Sequence, residues 1–206
     1  MVAIIDYDAG NIKSVEKAVA ALGKEVTVTR EADEILSADH VILPGVGAFG
    51  DAMDKLRSYG LEAVIKKVVE KKTPLFGICL GLQLLFESSE ESEGVRGLGI
   101  LPGEIIRIPA DGALKIPHIG WNSLSYPNKG RLFKGIPEQS YVYFVHSFYL
   151  KAHDEKIVTA ATEYGAFIHA SVEKDNVFAC LFHPEKSSEV GMKILNNFLD
   201  ISGCDL

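Results

Sequence analysis

The amino-acid sequence predicts an α/β domain built on an open, mixed but mainly parallel sheet with helices on both faces. In the first half of the chain, wholly apolar runs of strand length alternate with stretches of helical periodicity. In the second half, strand-like runs follow one another with turns and no helices between them. A length of 206 residues suits one such domain with a full core.

The elements follow in order. Val2-Ala3-Ile4-Ile5 is a continuous apolar run ended by Asp6, as expected for a strand buried on both faces. Ile12, Val15, Ala18, Val19 and Leu22 recur at helical spacing, and Gly23 supplies the stop. Glu25–Thr29 is rich in β-branched residues, and His40–Leu43 is a second buried strand halted by Pro44-Gly45. Asp51–Tyr59 and Leu61–Lys71 read as helices with Gly60 between them. Pro74 then precedes the strand Leu75–Ile78, and Leu80–Phe86 reads as a helix. Strands separated by helices imply βαβ units and parallel pairing. Beyond residue 100 the strand-like runs are Ile105–Ile108, Leu114–Ile119, Tyr141–Leu150, Lys156–Ala161, Phe167–Val172 and Val177–Phe182. Strands in direct succession predict antiparallel pairs added to the sheet edge. Ser187 or Ser188 is placed to cap a closing helix that runs through Leu199. The acidic segment Glu87–Gly94 has no apolar residues and reads as a solvated loop.

Composition narrows the class. Hydrophobic residues make up 47% and charged residues 24%, the mix of a soluble globular chain. The net charge is −7 with Lys and Arg scattered, which argues against nucleic acid as a partner. The N-terminal MVAIIDYD has no basic segment leading into a long apolar run, and no window approaches about 18 apolar residues. Neither a secretory signal nor a membrane span is expected. Three cysteines, at 79, 180 and 204, do not make a disulfide framework, and no spacing suits zinc. A cytoplasmic setting follows, with no metal or organic cofactor.

The strongest chemical signal is Gly77-Ile78-Cys79-Leu80-Gly81. A strand enters, a potential nucleophile sits between glycines at alternate spacing, and a helix leaves. This is the cysteine counterpart of the G-x-S-x-G nucleophile elbow. The small flanking residues permit a tight turn, and amides at the helix start favour thiolate over thiol. His183 follows the strand Val177–Phe182 and so lies at a strand's carboxyl end, where the sites of open parallel sheets collect and where Cys79 also lies. Glu185 is two residues on, and in extended backbone it shares a side with His183, so its carboxylate can orient the imidazole.

With Gly77–Gln83 followed by Phe182-His183-Pro184-Glu185, the chain resembles the class I, triad-type glutamine amidotransferases. Asp6–Asn11, Leu43–Phe49, Pro117–Asn122, Tyr143–Phe148 and His183–Ser187 add a closer resemblance, to the glutaminase subunits of imidazole glycerol phosphate synthase. Pro117–Asn122 and His183–Ser187 argue against the subunits serving anthranilate, aminodeoxychorismate, guanylate or pyridoxal phosphate synthesis. An intact Cys79, His183 and Glu185 argues against a binding protein that has lost the chemistry.

The resemblance implies a flavodoxin-like domain that hydrolyses L-glutamine through a Cys79 thioester. His183 would be general base and then acid, and Glu185 its orienting carboxylate. The amide of Leu80 and the turn Gly45-Val46-Gly47 would form the oxyanion site. Gly47, Gln83, His146, Ser147 and Phe148 match positions that hold the glutamine backbone groups. The partner implied is a (β/α)8 cyclase subunit forming a heterodimer, met by Asn11, Trp121, Tyr143 and Lys186, with His118 and Asn122 in the same segment as Trp121. Leu181 stands where Gln is frequent, which bears on local packing only.

Overall fold

The computed structural model describes residues 1–109 and 114–202. Its main sheet carries β1 (Val2–Ile5), β2 (Val26–Thr29), β3 (His40–Leu43), β4 (Leu75–Ile78), β5 (Ser88–Ser89), β6 (Gly103–Arg107), β9 (Phe148–Ala152), β10 (Val158–Glu163), β11 (Phe167–Lys174) and β12 (Val177–Cys180). A separate ribbon pairs β7 (His118–Ser123) with β8 (Tyr141–His146). The main order is β2-β1-β3-β4-β12-β11-β9-β6-β5, with β10 on β11. The run from β2 to β12 is parallel throughout, and 2-1-3-4-12 is the flavodoxin-like order. Antiparallel pairing begins where the helices stop, at β11 with β12, β9 and β10 and at β6 with β9.

Helices α1 (Ile12–Ala21) and α6 (Ser188–Leu199) cover one face. The other carries α2 (Ala32–Ser37), α3 (Phe49–Ser58) and α4 (Leu61–Glu70). Strand β1 shows why both faces need cover. Ala3 and Ile5 join the core under α2–α4, while Val2 and Ile4 join the core under α1 and α6. Each fully buried Ile, Leu or Phe contributes about 1.5–3 kcal/mol relative to exposure, so neither face can be left to water.

Several boundaries differ from those expected. Helix α2 was not anticipated, because six residues are too short for periodicity to register. The strand expected at Leu114–Ile119 begins only at His118, since Pro117 has no N–H to give a ladder. Tyr141–Leu150 is broken at Ser147 into β8 and β9, which belong to different sheets. Lys156–Ala161 opens in a short helical turn and becomes strand only from Val158. The helix after Cys79, α5, spans Leu80–Leu84 rather than reaching Phe86. The segment Glu87–Gly94 is not simply solvated: Ser88-Ser89 pairs with β6, and the Glu91 carboxylate accepts the Phe49 amide at 2.8 Å. Cys204 lies outside the described residues.

Candidate active site

The site assembles at the carboxyl ends of β1, β3, β4 and β12. At the end of β4, Cys79 takes φ 53° and ψ −105°, a conformation that side chains rarely adopt. Two close approaches hold it there. A Cβ on Gly77 would lie 2.8 Å from the Gly81 carbonyl oxygen, and one on Gly81 would lie 1.9 Å from that of Leu43. The glycines are therefore needed for the packing of α5 onto the sheet. The Cys79 amide donates to the Cys180 carbonyl at 2.8 Å, which seats the elbow against β12. The Cys79 side chain is nearly buried.

Across from it, His183 and Glu185 have fully buried side chains joined by a 2.8 Å bond from Nδ1 to Oε1. The pair was expected on extended backbone. Instead His183 is extended and Pro184–Lys186 forms a single helical turn. A carboxylate only accepts, so Nδ1 carries the proton and Nε2 is the nitrogen free for chemistry. That Nε2 is buried with no hydrogen-bond partner. Burial opposes charge on His183, but the Cys79 and Glu185 side chains outweigh it and push its pKa up to about 9. Burial likewise works against the Glu185 carboxylate, yet hydrogen bonds from His183 and Asn11 hold its pKa below the ordinary value.

Asn11 had been expected to face a partner. The structure brings it beside the expected triad, where its Nδ2 donates to Glu185 Oε1 at 2.7 Å. Arg30 braces the same loop by bonding Asp6 at 2.9 Å and Asp8 at 2.7 Å. The Ser187 hydroxyl, expected as a helix cap, donates to the His183 carbonyl at 2.6 Å and accepts the Tyr143 amide at 2.9 Å. The His183 amide donates to the Tyr143 carbonyl at 2.9 Å. Strand β8 is thus laced directly to the backbone of His183.

The turn after β3 is arranged against the expected oxyanion site. The Leu80 amide donates to the Gly45 carbonyl at 3.3 Å, so the Gly45–Val46 peptide presents oxygen where a donor was expected. Tyr7, almost fully buried, holds the preceding Pro44 carbonyl at 2.7 Å. Its hydroxyl would sit 2.0 Å from a Cβ on Gly45. Val46 is 38% exposed and Gly47 has φ +115°.

Val46, Gly47, Cys79, Gln83, His146, Ser147 and Phe148 line one cavity of about 270 Å³, together with Glu91, Pro117 and Val145. Gly45 and Leu80 meet each other beside it rather than lining it. Sequence patterns do not single out Glu91 or Tyr7. Glu91 is one acid among several in its segment, and Tyr7, although within the Asp6–Asn11 motif, carries no local sign of the Pro44 carbonyl that it holds.

Of the expected interface residues, Trp121 is 51% exposed and meets Tyr143 edge-to-face across the ribbon. Ile119 and Tyr141 are more exposed still, and Lys186 is exposed beside the triad. Asn122 is half-buried. His118 corrects the expectation: it is 3% exposed, stacked on Phe144 and Tyr164, and cannot meet a partner directly.

The family model for class-I glutamine amidotransferases matches residues 3–201. The imidazole glycerol phosphate synthase subunit HisH of Moorella thermoacetica is 52% identical over 96% of this chain and 93% of its own. Its namesake from Methanocaldococcus jannaschii is 47% identical over 98% of this chain and its full length. The chain belongs to the class-I glutamine amidotransferases, in the HisH family. Among solved structures, a glutamine amidotransferase superimposes with a TM-score of 0.76 at 22% identity, covering 97% of this chain and 98% of its own. That likeness speaks for the amidotransferase fold alone. No described helix of this amidotransferase is long and apolar enough to cross a membrane.

Proposed function

We propose that this chain is the glutaminase subunit of an imidazole glycerol phosphate synthase, with Cys79, His183 and Glu185 as its hydrolytic triad. The observation that carries the triad is the polarity of His183. Its Nδ1 is committed to Glu185, so the buried Nε2 is the ring nitrogen left to meet the Cys79 side chain, which raises the imidazole's pKa together with Glu185.

The chemistry follows from that arrangement. The Cys79 sulfur gives its proton to His183 Nε2 and attacks the side-chain carbonyl carbon of L-glutamine, and the C=O electron pair moves onto oxygen. As the carbonyl re-forms, the C–N bond breaks and His183 delivers the proton that lets nitrogen leave as ammonia. Water then attacks the thioester with His183 as base, releasing glutamate. Glu185 keeps the imidazole in one tautomer and stabilises its charged form, and Asn11 keeps that carboxylate ionised. In the cavity, Gln83 and the His146–Phe148 stretch hold the substrate's backbone groups. Glu91 supplies a negative charge for its ammonium.

The oxyanion site supports regulation by a partner. With Gly45 oxygen on the Leu80 amide, the tetrahedral intermediate would meet a carbonyl instead of a donor. Rotating the Gly45–Val46 peptide would free Leu80 N–H and turn Val46 N–H inward. One such donor is worth about 3 kcal/mol or more in the transition state, ample for a large activation. The occupant of the ribbon face is a (β/α)8 cyclase subunit in a cytoplasmic heterodimer. It would dock on Trp121, Tyr143 and Lys186, with Asn11 and Asn122 alongside, and take up the ammonia to form imidazole glycerol phosphate and the aminoimidazole ribotide. The coupling route is short, because Tyr143 bonds the backbone of His183.

The test is glutamate release by the chain alone, with the cyclase, and with the cyclase plus its ligand. Turnover should rise at each step. Equal turnover in all three would remove the coupling, and no release in any would remove the triad.

A further inference from the structure

The glutamine cavity has a buried support that the proposed chemistry does not use. A chain of polar groups runs from Asn122 to the cavity wall. His146 Nδ1 lies 3.0 Å from the Phe148 carbonyl, His146 Nε2 lies 2.9 Å from His118 Nδ1, and His118 Nε2 lies 3.5 Å from Asn122 Nδ2. Asn122 Nδ2 also donates to the Glu163 carbonyl at 3.0 Å.

These contacts allow one set of protons. A carbonyl only accepts, so His146 Nδ1 bears hydrogen. Its Nε2 is then a lone pair and needs a donor, which His118 Nδ1 supplies. His118 Nε2 is left to accept from the Asn122 amide. Both rings are neutral with hydrogen on Nδ1. Burial pushes the pKa of His118 down to about 4 and that of His146 to about 3, in keeping with two uncharged rings.

The location gives the chain a purpose. Strand β8 ends at His146 and β9 begins at Phe148, so the His146–Phe148 bond spans the break at Ser147. The orientation of the His146 ring therefore fixes the stretch of wall that Ser147 occupies beside Cys79. His118 itself is held flat against Tyr164, with ring centroids 3.8 Å apart. For packing alone, an apolar pair would avoid desolvating two imidazoles.

We infer that His118 is a positioning residue for the glutamine pocket: by donating to His146, it locks the tautomer that grips the Phe148 carbonyl and sets the pocket wall at Ser147. This rests on the cavity being the glutamine site.

The test uses the chain assembled with its cyclase. His118→Phe keeps a flat ring but removes the donor. The loss of one buried hydrogen bond should raise KM for glutamine by about fivefold to tenfold. The kcat should stay within about twofold, and the ammonia-dependent rate should not change. His118→Asn, whose amide N–H can replace Nδ1–H, should restore most of the affinity. An unchanged KM in His118→Phe, or a fall in kcat alone, overturns the inference. If the parent complex released no glutamate, the glutamine site itself would be wrong. Nitrogen-15 NMR of the unmodified chain reads the two tautomers directly and needs no variant. Hydrogen on Nδ1 of both rings at pH 7 is expected, and hydrogen on Nε2 of either overturns the assignment.

Discussion

The nucleophile elbow and the turn after β3 stand beside each other at the same sheet edge, and they are built in opposite ways. At the elbow, glycines are needed for space, and α5 lies on β3 and β4 so closely that no side chain fits. At the turn only Gly45 is crowded, by the Tyr7 hydroxyl; a Cβ on Gly47 would meet nothing within 4 Å, and Val46 is partly in solvent. The elbow is rigid because its surroundings leave it no alternative. The turn is held by one bond from Tyr7 and one from Leu80, the second of which occupies a donor that the proposed chemistry needs. The difference suggests a division of labour: nucleophile and base are set at folding, while stabilisation of developing charge waits for a partner.

The largest effect should come from the elbow. Cys79→Ala should lower glutamine-dependent turnover by at least about 10⁴-fold, as removal of a covalent nucleophile does elsewhere. Ammonia-dependent synthesis by the assembled complex should survive. Retention of glutaminase activity near the parent level would put the nucleophile elsewhere. The same variant should reveal itself at His183. Without the sulfur, burial opposes the charged ring with less to offset it, so a pKa of about 9 in the parent should fall, as read by NMR titration. The sign for stability is fixed by the raised value. The contribution is full below the ordinary 6.5 and is lost as pH rises through about 9.

On the turn, Val46→Pro deletes the amide proposed to rotate inward. Partner-activated turnover should fall by about 10²–10³-fold. Turnover of the isolated chain should stay near its low parent value, and the rate at which iodoacetamide labels Cys79 should not change. Equal losses with and without partner would mean that the turn is already an oxyanion site at rest. Glu185→Gln should cost less than Cys79→Ala, because it removes orientation and charge stabilisation but leaves the proton carrier. Parent-like single-turnover rates would exclude the carboxylate.

The two regions also differ in what the sequence disclosed. Cys79 between Gly77 and Gly81, after an apolar strand, announces its geometry because the constraint is local. His183 and Glu185 are two residues apart, so their pairing was legible even though the backbone there is a helical turn. The parallel pairing of β1 to β4 followed from apolar runs alternating with helices, whereas β12, expected among the antiparallel additions, lies parallel to β4 in the middle of the sheet. What stayed hidden depends on distant partners. The occupation of Leu80 N–H by Gly45, the Tyr7 bond to Pro44, and Glu91 at the cavity join segments that carry no mark of each other. His118 was misassigned for the same reason. Lying three residues from Trp121, it looked like part of the surface, whereas β7 alternation turns it toward Phe144 and Tyr164.

Glycine replacement separates the two designs by stability. Gly81→Ala drives a methyl into the Leu43 carbonyl, a backbone atom that cannot step aside. A loss of about 3 kcal/mol or more in urea unfolding is expected, with Cys79 displaced and its labelling rate altered. A loss below about 1 kcal/mol would mean that α5 can lift off the sheet, and the elbow could not then be called rigid.

Gly47→Ala should do least, and for a different reason. Its φ of +115° is strained for any side chain, but no atom crowds the new methyl. The cost should be about 1–2 kcal/mol of stability, the usual scale for one unfavourable backbone angle. The proposed rotation of the Gly45–Val46 peptide turns on the ψ of Gly45 and the φ of Val46, leaving the φ of Gly47 as it is. Resting and active turns then carry the same strain, and it cancels in their ratio. The activation by partner, measured as turnover with and without the cyclase, should stay within about twofold of the parent. A change of tenfold or more would require about 1.4 kcal/mol of difference between the two states at Gly47. The moving segment would then extend past Val46, and the hinge would have to be placed further along the turn.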